Sequence, residues 1–267
     1  MLRQVKLLTV PLMLLVYTGA SLCISALPLR RAARRSMLVA NTTRFARAGL
    51  YLLGVRVRFR EQRPAPSPSR NALIVANHLS YLDILIIASH YPAVFITSVE
   101  LRRTFPVGIF ARCGGSIFVE RRSPAGIKRE IQDIGRKLRE GCSVVLFPEG
   151  TTSDGETVQP FKNSLFTSAI TTSTPIQPIC IRYRRIDGKR VTGQNRDSVF
   201  FYGNVSFLAH APRMLLLRSV HAECIALEPI ATHPHQSRKE LAVLCHDAIA
   251  AAYHGRRVHR RRGSGTE

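Results

Sequence analysis

The chain has 267 residues, 45% of them hydrophobic, and its mean hydropathy is +0.02. At about 150 residues per domain this length suits one or two domains, and so apolar a composition excludes a disordered chain. The formal net charge of +22 points to a negatively charged partner: nucleic acid, anionic lipid or a phosphate-bearing substrate.

The charge is unevenly placed. Residues 1–70 carry +12, residues 251–267 carry +4, and the long middle only +6. Leu7 to Leu29 contains no charged residue. As a helix this run would reach roughly 35 Å, enough to enter or cross a bilayer. Arg30, Arg31, Arg34 and Arg35 follow at once, which predicts that everything after them stays cytoplasmic. A cleaved signal peptide is the competing reading; the run is long for one and no small-x-small cleavage site ends it. Residues 37–60 mix leucines with arginines and read as an interfacial amphipathic helix. The run PAPSPS (64–69) reads as a linker. The expected division is therefore an anchor over 1–63, a linker over 64–70, a folded domain over 71–254 and a basic, disordered tail over 255–267.

Beyond the linker, short apolar runs alternate with helix-like segments. Strands are expected at 72–77, 93–98, 115–120, 143–149, 175–183, 199–207 and 220–230. Helices are expected at 80–90, 124–139, 162–171 and 237–254. This order predicts an α/β domain whose mixed, largely buried sheet is flanked by helices. Cysteines 23, 113, 142, 180, 224 and 245 form no C-x-x-C pair, so zinc ribbons and disulfide scaffolds are disfavoured.

Three segments carry candidate chemistry. Strand ALIVAN runs into Asn77-His78-Leu79-Ser80-Tyr81-Leu82-Asp83. Five residues on one helix rotate about 140° out of alignment, so His78 and Asp83 meet only if His78 lies in the turn before the helix. Ser80 and Asp83 equally fit a helix-capping box with no catalytic role. Next, Gly115 opens the run to Glu120, Arg121 and Arg122, a strand end that could hold a phosphate or simply be solvated. Third, Phe147-Pro148-Glu149-Gly150-Thr151 takes an acid from a buried strand into a Gly/Thr/Ser turn. Pro178 sits in a later strand entry that could wall a pocket. There is no G-x-S-x-G, Walker A, G-x-G-x-x-G or H-E-x-x-H motif, and His233 and His235 are weak metal candidates.

In this order NHLSYLD, GSIFVERR, FPEGTTSDG and PIQPI resemble the four blocks of the glycerolipid acyltransferase superfamily, best known for 1-acyl-sn-glycerol-3-phosphate acyltransferases. The resemblance covers roughly 70–230. The stretch FYGNVSFLAH is similar to members that acylate lysophosphatidic acid and to members that acylate lyso-ornithine lipid. The resemblance implies acyl transfer from acyl-CoA or acyl-carrier protein to a lysolipid hydroxyl, with phosphatidic acid as the first expected product. It implies no metal and no resident cofactor. His78 would be the base and Asp83 its orienting partner. Asn77, Ser80, Gly115, Glu120, Phe147, Pro148, Gly150, Thr151 and Pro178 would shape the substrate site. Arg121 would grip the acceptor phosphate and Glu149 would order the acceptor pocket. Backbone N–H groups at the helix start after His78 are the expected oxyanion donors. An idle lipid-binding protein is weakened by the presence of both His78 and Asp83. A nucleic-acid binder is weakened because the charge lies beside an apolar segment, with no basic-aromatic recognition motif.

Overall fold

The computed structural model describes residues 2–62, 71–99, 107–119 and 124–255. Helices α1 (Leu2–Ala26) and α2 (Arg31–Leu53) lead into β1 (Val55–Glu61). Then come β2 (Leu73–Ala76), α3 (Leu82–His90), β3 (Ala93–Ser98), α4 (Val107–Cys113), β4 (Ile117–Val119), α5 (Pro124–Arg139) and β5 (Ser143–Leu146). A short 3-10 turn leads to α6 (Thr167–Thr172), followed by β6 (Ile176–Ile186), β7 (Lys189–Arg190), α7 (Phe207–Leu215), β8 (Val220–Ala226) and α8 (Arg238–Tyr253).

The sheet order is β1-β8-β6-β2-β5-β3-β4, with β7 beside β6. Strand β6 is antiparallel to β8 and β7, and the other pairs are parallel. The expected mixed α/β architecture is thus present. Strand β2 reads LIVA, apolar at every position, because helices cover both faces of the sheet there. Ile74 and Ala76 face one core with Leu50, Leu82 and Ile86 of α2 and α3. Leu73 and Val75 face the other with Ile134 of α5, Ala169 of α6 and Ile249 of α8.

Two expected elements differ. Residues 55–61 do not continue the amphipathic helix: they form β1, which pairs in parallel with β8. Gly54 ends α2 at φ +74, where a side chain would collide with the Arg218 carbonyl, and its own carbonyl accepts the Val220 N–H. The sheet therefore begins before the Pro/Ser run, and 63/71 is not its boundary. Residues 199–207 are not a strand either. Val199 and Phe200 bury in the core as part of a turn closed on the Arg196 carbonyl. Ser206 then caps α7 by accepting the Ala209 N–H.

Helix α1 packs along α2. It is the one helix among the described residues long and apolar enough to cross a membrane, over Val5–Ala26. Leu8, Leu12, Leu15 and Leu22 are exposed along it. Lys6 does not sit at its tip as a solvated flank. It is buried, and its ammonium donates to the carbonyls of Leu53 and Leu217, both at 2.7 Å. That cation thus closes the C-terminal end of α2.

Candidate active site

Parallel register brings the motifs together. Val75 of β2 lies opposite Leu146 of β5, and Ala76 lies opposite Ile179 of β6. Continuing both registers beyond the strand ends sets His78 level with Glu149 and Ile181. The loops after β2 and β5 therefore meet at one edge of the sheet, the usual site position in α/β folds. Asn77 fastens this edge. Its amide donates to the Ile181 carbonyl at 3.0 Å, and its carbonyl oxygen accepts the Ile181 N–H at 2.7 Å.

His78 lies in the turn and Asp83 in the first turn of α3, so the two side chains meet. His78 Nδ1 is 2.9 Å from Asp83 Oδ2. Asp83 is fully buried, and the same oxygen also accepts the N–H groups of Leu79 at 2.6 Å and Ser80 at 2.8 Å. Its other oxygen accepts the Tyr183 hydroxyl at 2.7 Å. A carboxylate partner fixes the proton of neutral His78 on Nδ1 and leaves Nε2 as the basic nitrogen. Phe147 stacks on the imidazole at 4.0 Å between centroids.

The capping reading and the dyad coexist. Asp83 takes the Ser80 N–H as a capping-box acid does, while the Ser80 hydroxyl donates to the Val199 carbonyl at 2.6 Å. The Leu79 and Ser80 N–H groups are consequently committed to Asp83. They are not available to an oxyanion, contrary to the sequence expectation, because the carboxylate folds back over them.

Glu149 is buried and faces backbone. Oε1 accepts the His78 N–H at 2.7 Å and Oε2 the Gln159 N–H at 3.1 Å. Burial pushes its carboxyl up to about 7, against the lowering effect of those two donors. The turn after it needs Gly150, at φ +81 with Lys162 packed across it. Ser153 donates its N–H to the His78 carbonyl at 3.0 Å, so the third motif grips both backbone polar groups of His78. Pro148 is buried and its carbonyl accepts the Lys162 N–H, whereas Thr151 is exposed. A cavity of about 90 Å³ lies beside Phe147, Pro148 and Gly150, with Glu130 and Lys162 in its wall.

Not every expected residue joins this cluster. Pro178 lies within β6 opposite Val75, buried in the sheet. Gly115 is exposed in the turn before β4, the strand at the edge of the sheet. Glu120 and Arg121 fall outside the described residues. Tyr183, Gln159 and Ser153 were not anticipated. Their contacts are made across the tertiary fold; the sequence marks the strand of Tyr183 and the motif of Ser153 but not these partners.

Residues 54–182 match the acyltransferase family profile. The chain is 33% identical over 205 residues to a lyso-ornithine lipid O-acyltransferase of Rhizobium meliloti, covering 74% of this chain and 69% of that one. The chain belongs to the glycerolipid acyltransferase family. A second member, the 1-acyl-sn-glycerol-3-phosphate acyltransferase of Neisseria gonorrhoeae, is 36% identical over 132 residues, 48% of this chain and 50% of that one. The crystal structure of the 1-acyl-sn-glycerophosphate acyltransferase from Thermotoga maritima shares the fold, with a TM-score of 0.66, 22% identity and 97% of each chain covered. As a glycerolipid acyltransferase, the chain is a lysolipid O-acyltransferase.

Proposed function

We propose that this acyltransferase esterifies the free hydroxyl of lyso-ornithine lipid, using acyl-CoA or acyl-carrier protein as donor. The observation that carries the acceptor is the reach of the similarity. It extends over 205 residues with the lyso-ornithine relative and 132 with the 1-acyl-sn-glycerol-3-phosphate acyltransferase. Lysophosphatidic acid, the first expectation from the motifs, stands as the second reading on the strength of the Neisseria relative. An ornithine head presents a carboxylate and an ammonium, so Arg121 would pair with the carboxylate and not a phosphate.

In this reading His78 Nε2 removes the acceptor hydroxyl proton as the oxygen attacks the thioester carbonyl. Asp83 holds the Nδ1 proton and offsets the imidazolium charge. The tetrahedral oxyanion collapses with C–S cleavage, and the imidazolium returns its proton to the departing thiolate. A new ester C–O bond has formed and no oxidant or reductant is required. The exposed apolar face of α1, with Arg30 to Arg35 behind it, holds the enzyme on the cytoplasmic face of the membrane.

The deciding experiment supplies the full-length protein, in lipid vesicles, with an acyl donor and each lysolipid separately. Products are read by mass spectrometry. Acylation of lyso-ornithine lipid is expected. Phosphatidic acid as the only product would move the assignment to the second reading, and no acyl ester from either would overturn both.

A further inference from the structure

We infer that Tyr183 is a positioning residue of the His78–Asp83 dyad, donating its phenol hydrogen to the carboxylate oxygen opposite the histidine and so setting the basicity of Nε2. The inference rests on the dyad reading above and deepens it. Asp83 has no exposed surface, so water cannot solvate its charge. Three donors crowd Oδ2, and the Tyr183 hydroxyl at 2.7 Å is the donor on Oδ1. An unsatisfied oxygen on a buried carboxylate is costly, and a donor on one oxygen draws electron density from the other.

The placement is rigid. Tyr183 belongs to β6, two residues beyond Ile181, whose backbone N–H and carbonyl are both tied to Asn77. Its ring packs against Phe200 with centroids 5.5 Å apart. Burial and the neighbouring Asp83 charge raise the phenol pKa well above its ordinary value, so it stays a donor across the working pH range. Strand β6 therefore fixes the peptide before His78 and the carboxylate behind it at once.

The consequence is directional. With the phenol in place, part of the Asp83 charge is spent on Tyr183, which moderates its pull on the imidazolium. Without it, Asp83 stabilises the imidazolium more strongly and is itself more easily protonated. Both effects move the acid limb of the rate profile to higher pH. The other titratable groups coupled to this carboxylate are Glu149, Cys224 and Tyr253. Burial raises the Cys224 thiol pKa and pushes Tyr253 up to about 12, so both stay neutral. Glu149 and the neighbouring Tyr81 keep their positions when only the Tyr183 hydroxyl is removed.

The test compares wild type, Tyr183→Phe and 3-fluorotyrosine at position 183, all full-length in lipid vesicles. At pH below the acid limb, Tyr183→Phe is expected to lower kcat by about tenfold, with both KM values little changed. Its acid limb should rise. The fluorinated ring differs by one small atom and is a stronger donor, so its acid limb should fall. Where the Phe variant fails to fold, the fluorinated protein decides alone. An acid limb that stays put in the folded variants would overturn the role of Tyr183. Wild-type turnover in His78→Ala, measured alongside, would instead overturn the dyad.

Discussion

The Glu149 carboxylate accepts the backbone N–H of His78 at 2.7 Å. The acid of the third motif thus braces the peptide of the first motif's histidine, and its second oxygen ties down Gln159. An acid placed there controls where the imidazole starts from, before any substrate arrives.

Replacing Glu149 tests this brace. In Glu149→Gln the amide oxygen can still accept the His78 N–H, but its NH2 then meets the Gln159 N–H, donor against donor. A stability loss of about 1–3 kcal/mol is expected for that unsatisfied pair. The pH dependence is a second readout. The native carboxyl titrates near about 7, above its ordinary value, so the folded state holds the extra proton. Its stabilising effect is full below the ordinary carboxylate pKa and is lost as pH rises toward 7. The gap in melting temperature between wild type and Glu149→Gln should therefore narrow from pH 5 to pH 7.5. A constant gap would count against the buried, raised carboxyl.

His78→Ala should fold, remain with the membrane fraction and lose acyl transfer by ~10²–10⁴-fold, the usual worth of general-base catalysis. Asp83→Asn should also fold. The amide oxygen can replace Oδ2 under its three donors, and the NH2 can donate to a Tyr183 hydroxyl that turns to accept. Charge is lost while the tautomer is kept, so turnover should fall by ~10²–10⁴-fold with KM nearly unchanged. Near-normal activity in His78→Ala would overturn His78 as the base.

His210 supplies a pH response of the opposite sign. It is buried; Nδ1 lies 3.0 Å from the Tyr81 hydroxyl and Nε2 lies 3.1 Å from the Asp197 carbonyl. Burial lowers its pKa below the ordinary value. The native state then binds fewer protons here than the unfolded chain, so its stabilisation is full at higher pH and is lost on acidification below about 6.5. Protection factors in α7, taken against the intrinsic exchange rate at each pH, should fall between pH 7.5 and 5.5, and His210→Gln should blunt that change. An unchanged pH response in the variant would sink the assignment.

Lys6→Met should separate folding from membrane attachment. The carbonyls of Leu53 and Leu217 lose a charged donor, and a fall in stability of about 1–3 kcal/mol is expected. The exposed leucines of α1 are untouched. Salt screens charge and not apolar burial, so both proteins should stay with the membrane in a high-salt wash. Recovery of wild type in the washed soluble fraction would contradict the attachment.

What was legible in the sequence was whatever acts locally. The turn between β2 and α3 brings His78 to Asp83 within five residues, and an apolar run ahead of a polar turn marks each buried strand. Partners chosen across the fold were not legible. Tyr183 lies 100 residues from Asp83, and nothing in ICIRYRR marks its hydroxyl for that carboxylate. In Val55-Arg56-Val57-Arg58-Phe59-Arg60 the strand alternation was present, but its basic residues suited an interfacial helix equally well. Its partner β8 begins at Val220, far along the chain. The aromatic run from Val199 looked like a strand because burial, not pairing, selects those side chains.

Strand β1 also decides what can be cut away. A truncation in the Pro/Ser run, the natural place to seek a soluble enzyme, would remove the whole seven-residue neighbour of β8. The outer edge of β8 would then face water with unpaired amides and carbonyls, a template for chain-to-chain pairing. Such a fragment should aggregate even with the entire apolar leader gone. Solubility engineering must instead repaint the outward side chains of α1 and leave the backbone intact, because the tether and the catalytic body are not interchangeable modules.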